Sequence, residues 1–313
     1  MENILYIIGG LILLVLGGDW LLKSSVGISY RLNISKIIVG LTVVSFATSA
    51  PEMIVSVKAA MNGFPDIALG NIIGSNIGNI GLVLGVVLLI NAIQVDKSFY
   101  ITDWPTKMIA SILLFVFLII DGGLTRIDGF IFIVLLIVFL IILIRNNKKV
   151  QVDIEEIDKE EPLSYFKIII FLLLGAFALW GGSELLVEGA VNLATNLGVS
   201  KRIIAITVVS IGTSIPELAS SIIAAIKKEN DISIGNIIGS NIFNILSVLG
   251  VTAIISPIDK VDVQIINQDI YWMLGFAFIL LPMVILPKRG SLSLKEGILL
   301  LIAYGVFLYF SVI

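Results

Sequence analysis

The sequence contains no cysteine and no histidine. These two absences remove disulfides, thiolate and imidazole metal ligands, cysteine and histidine nucleophiles, and any histidine proton relay. A cation site in this chain has to be made of oxygen, and nothing points to an enzyme or to a bound cofactor. Charge is scarce as well: 14 % of the residues are Asp, Glu, Lys or Arg, against about a quarter in a soluble domain. So few charges cannot clothe a water-facing surface, and no basic stretch suggests a nucleic-acid partner. The net charge of −3 carries little meaning, because membrane proteins sort charge between loops rather than averaging it.

What the chain has in excess is apolar: 58 % of its 313 residues are hydrophobic and the mean hydropathy is +1.09. Apolar runs near 20 residues recur throughout, long enough to cross the roughly 30 Å hydrocarbon core as helices. The expected fold class is an all-α membrane protein embedded in lipid. Hydropathy lays out ten spans at 3–22, 37–62, 67–91, 102–121, 126–145, 165–189, 201–227, 231–256, 269–287 and 293–312. Residues 1–22 lack a basic leader and a small-residue cleavage site, so they read as a retained first span. The one strongly polar stretch, 146–164, holds Lys148, Lys149, Asp153, Glu155, Glu156, Asp158, Lys159, Glu160 and Glu161. It has no calcium-loop spacing and reads as a solvated linker between 1–145 and 165–313.

Lysine and arginine distribution sets an orientation. With the N-terminus outside, the loops after spans 1, 3, 5, 7 and 9 and their flanks carry 15 basic residues against 5 on the other side. The positive-inside rule then places both termini outside the cell and the 146–164 loop in the cytoplasm.

An internal repeat organises the chain. Shifted by 165 residues, Lys36–Val86 lies on Lys201–Val251 without a gap, and 29 of the 51 positions are identical. Each half has five spans, an odd number, so the second half is expected to insert upside down relative to the first. Inverted repeats of this kind typify secondary transporters, with the site near the bilayer midplane. A duplication that only built a packed bundle would not need to keep polar residues inside apolar spans, and here the polar residues match best.

Two segments recur. The first is Thr42–Glu52 (TVVSFATSAPE), matched by Thr207–Glu217 (TVVSIGTSIPE). A proline inside a helix lacks an N–H and clashes with the carbonyl four residues back. Pro51 and Pro216 therefore free the carbonyls of Ala47 and Gly212, and irregular backbone at that depth is tolerable only around a cavity or an ion. A carboxylate follows each proline, Glu52 and Glu217, and an ionisable group in a span is a functional candidate by default. With the hydroxyls of Thr48, Ser49, Thr213 and Ser214, these groups form an oxygen cage suited to a hard cation.

The second segment is Gly70–Asn79 (GNIIGSNIGN), matched by Gly235–Asn244 (GNIIGSNIFN). Glycines four apart allow close helix approach. Ser75 with Asn79, and Ser240 with Asn244, share a helical face and offer neutral oxygens to complete coordination. Asn71, Asn76, Asn236 and Asn241 point elsewhere and read as interhelical hydrogen-bonding groups. Asp19 and Glu184 fall at span ends, Asp66 and Asp231 at helix N-caps, and Trp20, Trp104, Trp180 and Trp272 at interfaces or in packing.

Those paired motifs resemble the two alpha repeats of the sodium/calcium exchangers, in the calcium/cation antiporter superfamily, and the short central loop resembles a prokaryotic minimal member. The resemblance spans nearly the whole chain and implies sodium and calcium as transported ions. It implies calcium ligands at the carboxylates of Glu52 and Glu217 and the carbonyls of Thr48 and Thr213. Around them it implies sodium sites drawing on Ser45, Ser49, Ser75, Ser210, Ser214 and Ser240, with Asn79 and Asn244 at the centre. It also implies that the first and sixth spans slide across the core. Two positions depart from the pattern: Ala47, where glycine is common, and Asn244, where potassium-dependent members carry aspartate. Asn244 leaves two central carboxylates and favours a potassium-independent sodium/calcium antiporter. A proton/calcium antiporter and, more remotely, a passive cation channel are the alternatives.

Overall fold

A computed structural model describes residues 2–146, 163–197, 212–259, 261–286 and 290–312. The linker, Ser210 and the first part of the seventh expected span lie outside them. The apolar runs form helices because in hydrocarbon only a helix satisfies its own backbone. In chain order these are α1 (Glu2–Leu32), α2 (Lys36–Thr48), α3 (Ala50–Met61), α4 (Pro65–Ile90), α5 (Phe99–Asp121), α6 (Arg126–Asn146), α7 (Tyr165–Asn196), α8 (Ile215–Ile226), α9 (Asn230–Ile255), α10 (Ile265–Ile285) and α11 (Leu294–Val312). Among the described residues eight helices are long and apolar enough to span, or nine if α2 and α3, bent by 45°, count as one.

The duplication is visible in the secondary structure. Helices α4 and α9 each slip into a π-helical segment at the matching asparagine, Asn79–Leu84 and Asn244–Leu249. Each then resumes α geometry, over Gly85–Ile90 and Gly250–Ile255. Helices α5 and α10 each open on a π turn, Phe99–Asp103 and Ile265–Asp269. A two-residue ladder, β1 (Ile93–Gln94) with β2 (Ser291–Leu292), has its counterpart in a single bridge between Leu124 and Ile258.

Helices α4 and α9 form the centre: 89 % of the apolar window of α9 is buried, against 28 % for α1 and for α7. The last helix of each half packs on the other half. A Cβ on Gly129 of α6 would meet Gly250 of α9, and one on Gly85 of α4 would meet Leu301 of α11. Outside this core α1 and α7 lie against each other through glycines. A Cβ on Gly10 would stand 2.7 Å from the Gly182 carbonyl, one on Gly17 3.0 Å from that of Gly175, and one on Gly189 2.8 Å from that of Asn3. As numbers rise along α1 they fall along α7, so the two run antiparallel. At about 1.5 Å per residue they are roughly 46–48 Å long and must tilt to fit the bilayer.

Three sequence expectations need correction. The first span does not stop at residue 22. Asp19 and Lys23, which end the apolar run, pair at 2.9 Å, Asp19 also pairs with Lys227 beyond α8, and the helix continues to Leu32 with Ser24, Ser25 and Ser29 buried. Asp19 is thus a mid-helix ion-pair partner rather than a solvated span end. Asp66 and Asp231 lie inside the first turns of α4 and α9, whose N-caps are Phe64 and Glu229, and Asp66 instead accepts from the Asp262 backbone N–H at 2.7 Å.

Candidate functional site

Each Pro-Glu step stands where one helix ends and another begins. Ser49 leaves the helical region at φ −85°, ψ 2°, and α3 starts at the next residue; Ser214 repeats this at φ −88°, ψ 2° before α8. Both prolines occupy the second position of a new helix, where a missing N–H costs nothing. That geometry is milder than a broken helix interior, yet Pro51 still cannot donate to the Ala47 carbonyl. In the second half the Gly212 carbonyl is taken by the Ser183 hydroxyl at 2.8 Å. Gly18 stands at the corresponding position of α1 and has no hydroxyl to offer.

The two steps meet at the centre. Glu52 and Glu217 are both fully buried, and near enough for their charges to interact. Ser49, from the first step, donates to Glu217 Oε1 at 3.3 Å, with the Thr48 and Ser240 hydroxyls close by. Two hydroxyl pairs link the halves in matching fashion: Thr48 with Ser240 at 3.3 Å, and Thr213 with Ser75 at 3.2 Å. Ser45 donates to the Gly40 carbonyl at 2.7 Å and lies against α9. A Cβ on Gly78 would approach the Ser214 hydroxyl at 3.5 Å, so Ser214 packs against α4 at the residue before Asn79. Of the twelve residues singled out in the sequence, eleven are described; ten are almost wholly buried and Thr213 is partly so.

Acceptors without donors mark the centre. Both carboxylate oxygens of Glu52, Oε2 of Glu217, and the side-chain oxygens of Asn79 and Asn244 are buried with no hydrogen-bond partner. Buried polar groups are ordinarily satisfied, and carboxylates above all. Five such oxygens, two carboxylates among their owners, suit a hard cation and suit no hydrogen-bonded core. The described residues hold no cluster of three acidic groups, so neutral oxygens must supply the remaining ligands.

The other asparagines build the walls. Asn236 donates to Ser220 and Ser221 at 2.9 and 3.0 Å and accepts from Thr48 at 3.1 Å; Asn71 donates to Ser56 at 3.0 Å. Sequence reasoning missed Ser56, Ser220, Ser221 and Ser183, because a lone serine carries no signal of its own. For Ser56 and Ser221 the signal was present, since they match across the repeat.

A duplicated membrane bundle with paired carboxylates and orphaned oxygens at its centre defines an ion transporter. The sequence profile of the sodium/calcium exchanger proteins matches residues 2–145 and 167–313. A putative antiporter, CaxA of Alkalimonas amylolytica, is 39 % identical, covering 96 % of this chain and 95 % of its own. The sodium/calcium exchanger MaX1 of Methanosarcina acetivorans is 27 % identical over 98 % and 97 %. The sodium-calcium exchanger NCX_Mj, in a structure soaked with zero Na⁺ and Ca²⁺, superposes with a TM-score of 0.82 at 32 % identity, covering 97 % of each chain. The chain belongs to the sodium/calcium exchanger family and is a multi-pass membrane antiporter of the cation/calcium class.

Proposed function

We propose that the protein exchanges Na⁺ for Ca²⁺ by alternating access at this central site, without a requirement for potassium. The observation that carries the reading is the pair of buried carboxylates, Glu52 and Glu217, with three of their four oxygens unsatisfied. Calcium takes six to eight oxygen ligands. The carboxylates of Glu52 and Glu217 and the carbonyls of Thr48 and Thr213 are assigned to it. Ser45, Ser49, Ser75, Ser210, Ser214 and Ser240 are assigned to sodium around that position, with Asn79 and Asn244 between. With Asn244 neutral, the centre holds two negative charges, which one calcium or two sodium ions balance. Competition between the ions for one set of oxygens is the coupling.

The same reading makes the chain two inverted five-span repeats, 1–145 and 165–313, joined by a cytoplasmic linker with both termini outside. The antiparallel register of α1 and α7 supports the inversion, since these helices correspond to one another. Helix α8 is the described part of the seventh expected span, 201–227.

Flux in proteoliposomes tests the proposal. Sodium-loaded vesicles diluted into sodium-free buffer should accumulate calcium, with no added potassium. Glu52→Gln and Glu217→Gln should each lower the rate at least about a hundredfold, since a buried carboxylate's interaction with a divalent ion exceeds 2.7 kcal/mol. Equal uptake driven by a pH gradient at zero sodium would overturn sodium coupling. Uptake independent of any counter-ion would identify a channel.

A further inference from the structure

Asn76 and Asn244 belong to opposite halves, and their side chains touch. Asn244 Nδ2 donates to Asn76 Oδ1 at 3.2 Å, and both residues are almost wholly buried. The nitrogen of Asn76 is held by two acceptors: it donates to the Asn241 backbone carbonyl at 3.3 Å and to Met273 Sδ at 3.8 Å. A backbone carbonyl only accepts, and a thioether sulfur accepts weakly. Turned end for end, Asn76 would set its own oxygen against both of them. Its nitrogen is thus committed to α9 and α10, and its oxygen to Asn244.

That commitment fixes Asn244 in turn. Facing an acceptor, Asn244 has to present its nitrogen to Asn76, which leaves Oδ1 as the free end of the amide. That oxygen is buried with no hydrogen-bond partner. The π segment that opens at Asn244 packs against α3, the helix that carries Glu52, and against α4. The relay is made in one half only. Asn241, the counterpart of Asn76, turns its Nδ2 to the Ile237 carbonyl of its own helix at 2.8 Å, and neither polar atom of Asn79 has a partner.

We propose that Asn76 is a positioning residue for the cation site: its oxygen holds the Asn244 amide with Oδ1 free for the ion, and makes position 244 fit an amide rather than a carboxylate. An inverted Asn244 would set Oδ1 against Asn76 Oδ1 and offer the cation an N–H donor, which cannot ligate it. A carboxylate at 244 would press one of its oxygens on Asn76 Oδ1 with no hydrogen between them. Asn76 thereby helps to hold the centre at two carboxylates. The inference rests on the assignment of Asn244 to the ion site.

Calorimetric Ca²⁺ and Na⁺ binding to the purified full chain in detergent tests it. Asn76→Leu removes the acceptor, lets the Asn244 amide invert, and should weaken calcium binding about tenfold. A carboxylate has an oxygen at both ends, so its orientation does not matter. On an Asn244→Asp background, Asn76→Leu should therefore leave calcium binding unchanged or strengthen it, whereas a mere loss of packing would weaken both backgrounds alike. A loss below about threefold on the native background, or a loss of about threefold or more on the Asn244→Asp background, overturns the inference while leaving the site assignment intact. Unchanged binding of both ions in Asn244→Ala overturns the assignment of Asn244, and the inference with it. A native chain that binds no calcium overturns the functional reading beneath both. Should Asn76→Leu not fold, Asn76→Ala removes the same acceptor with less bulk and is held to the same limits.

Discussion

At the scale of single residues, the two halves repeat a device but finish it differently. Pro216 leaves the Gly212 carbonyl without its helical donor, and the Ser183 hydroxyl takes the place of that donor at 2.8 Å. Ser183→Ala would bury that carbonyl unpaired, at a cost of about 1–3 kcal/mol. Thermal unfolding in detergent should show the loss, with the ion affinities little changed because Ser183 carries no assigned ligand atom. The buried polar cluster was legible at this scale because polar residues kept identical inside apolar repeats stand out. Glu52, Glu217, Thr48, Ser49 and Asn79 were all found that way. Ser183 was not, because it departs from its counterpart, Gly18, and the repeat signal is silent where the halves differ.

At the scale of helices, the break at Ser49 and the close approach of α9 to α2 decide where the candidate ligands sit. Pro51→Ala would return a donor to the Ala47 carbonyl and let α2 and α3 straighten from their 45° bend. The expected outcome is an unchanged or higher unfolding temperature with calcium binding weakened about tenfold or more, read by calorimetry. Gly239 faces the opposite constraint: a Cβ there would overlap the Ser45 hydroxyl and stand 2.7 Å from the Cα and carbonyl of Leu41. Gly239→Ala should therefore destabilise the protein by about 1–3 kcal/mol or more, the range for overpacking, seen as a lowered unfolding temperature. Helix positions among the described residues were legible from hydropathy to within a few residues, apart from the far ends of α1 and α7, which run on to Leu32 and Asn196. The π segments at Asn79 and Asn244 were not legible, since a one-residue slip in hydrogen bonding leaves no trace in apolar composition. They matter because each begins at an asparagine assigned to the ion.

At the scale of the whole molecule, the halves are interlocked. Helix α6 leaves its own half to pack on α9, and α11 returns to pack on α4. Neither half closes its own core, so 1–145 or 165–313 expressed alone should fail to give a folded, monodisperse species. Co-expressed as two chains they should assemble and restore calcium uptake to vesicles, a result readable by co-purification and flux. This interlocking also imposes an order on biogenesis. As the chain leaves the ribosome, α6 enters the bilayer with the face around Gly129 turned to lipid, and waits there while more than a hundred further residues are made. Until α9 arrives, that exposed face is a place where membrane quality control can seize a stalled or truncated product. The antiporter's two-part history as a duplication thus survives as a period of vulnerability each time the protein is made.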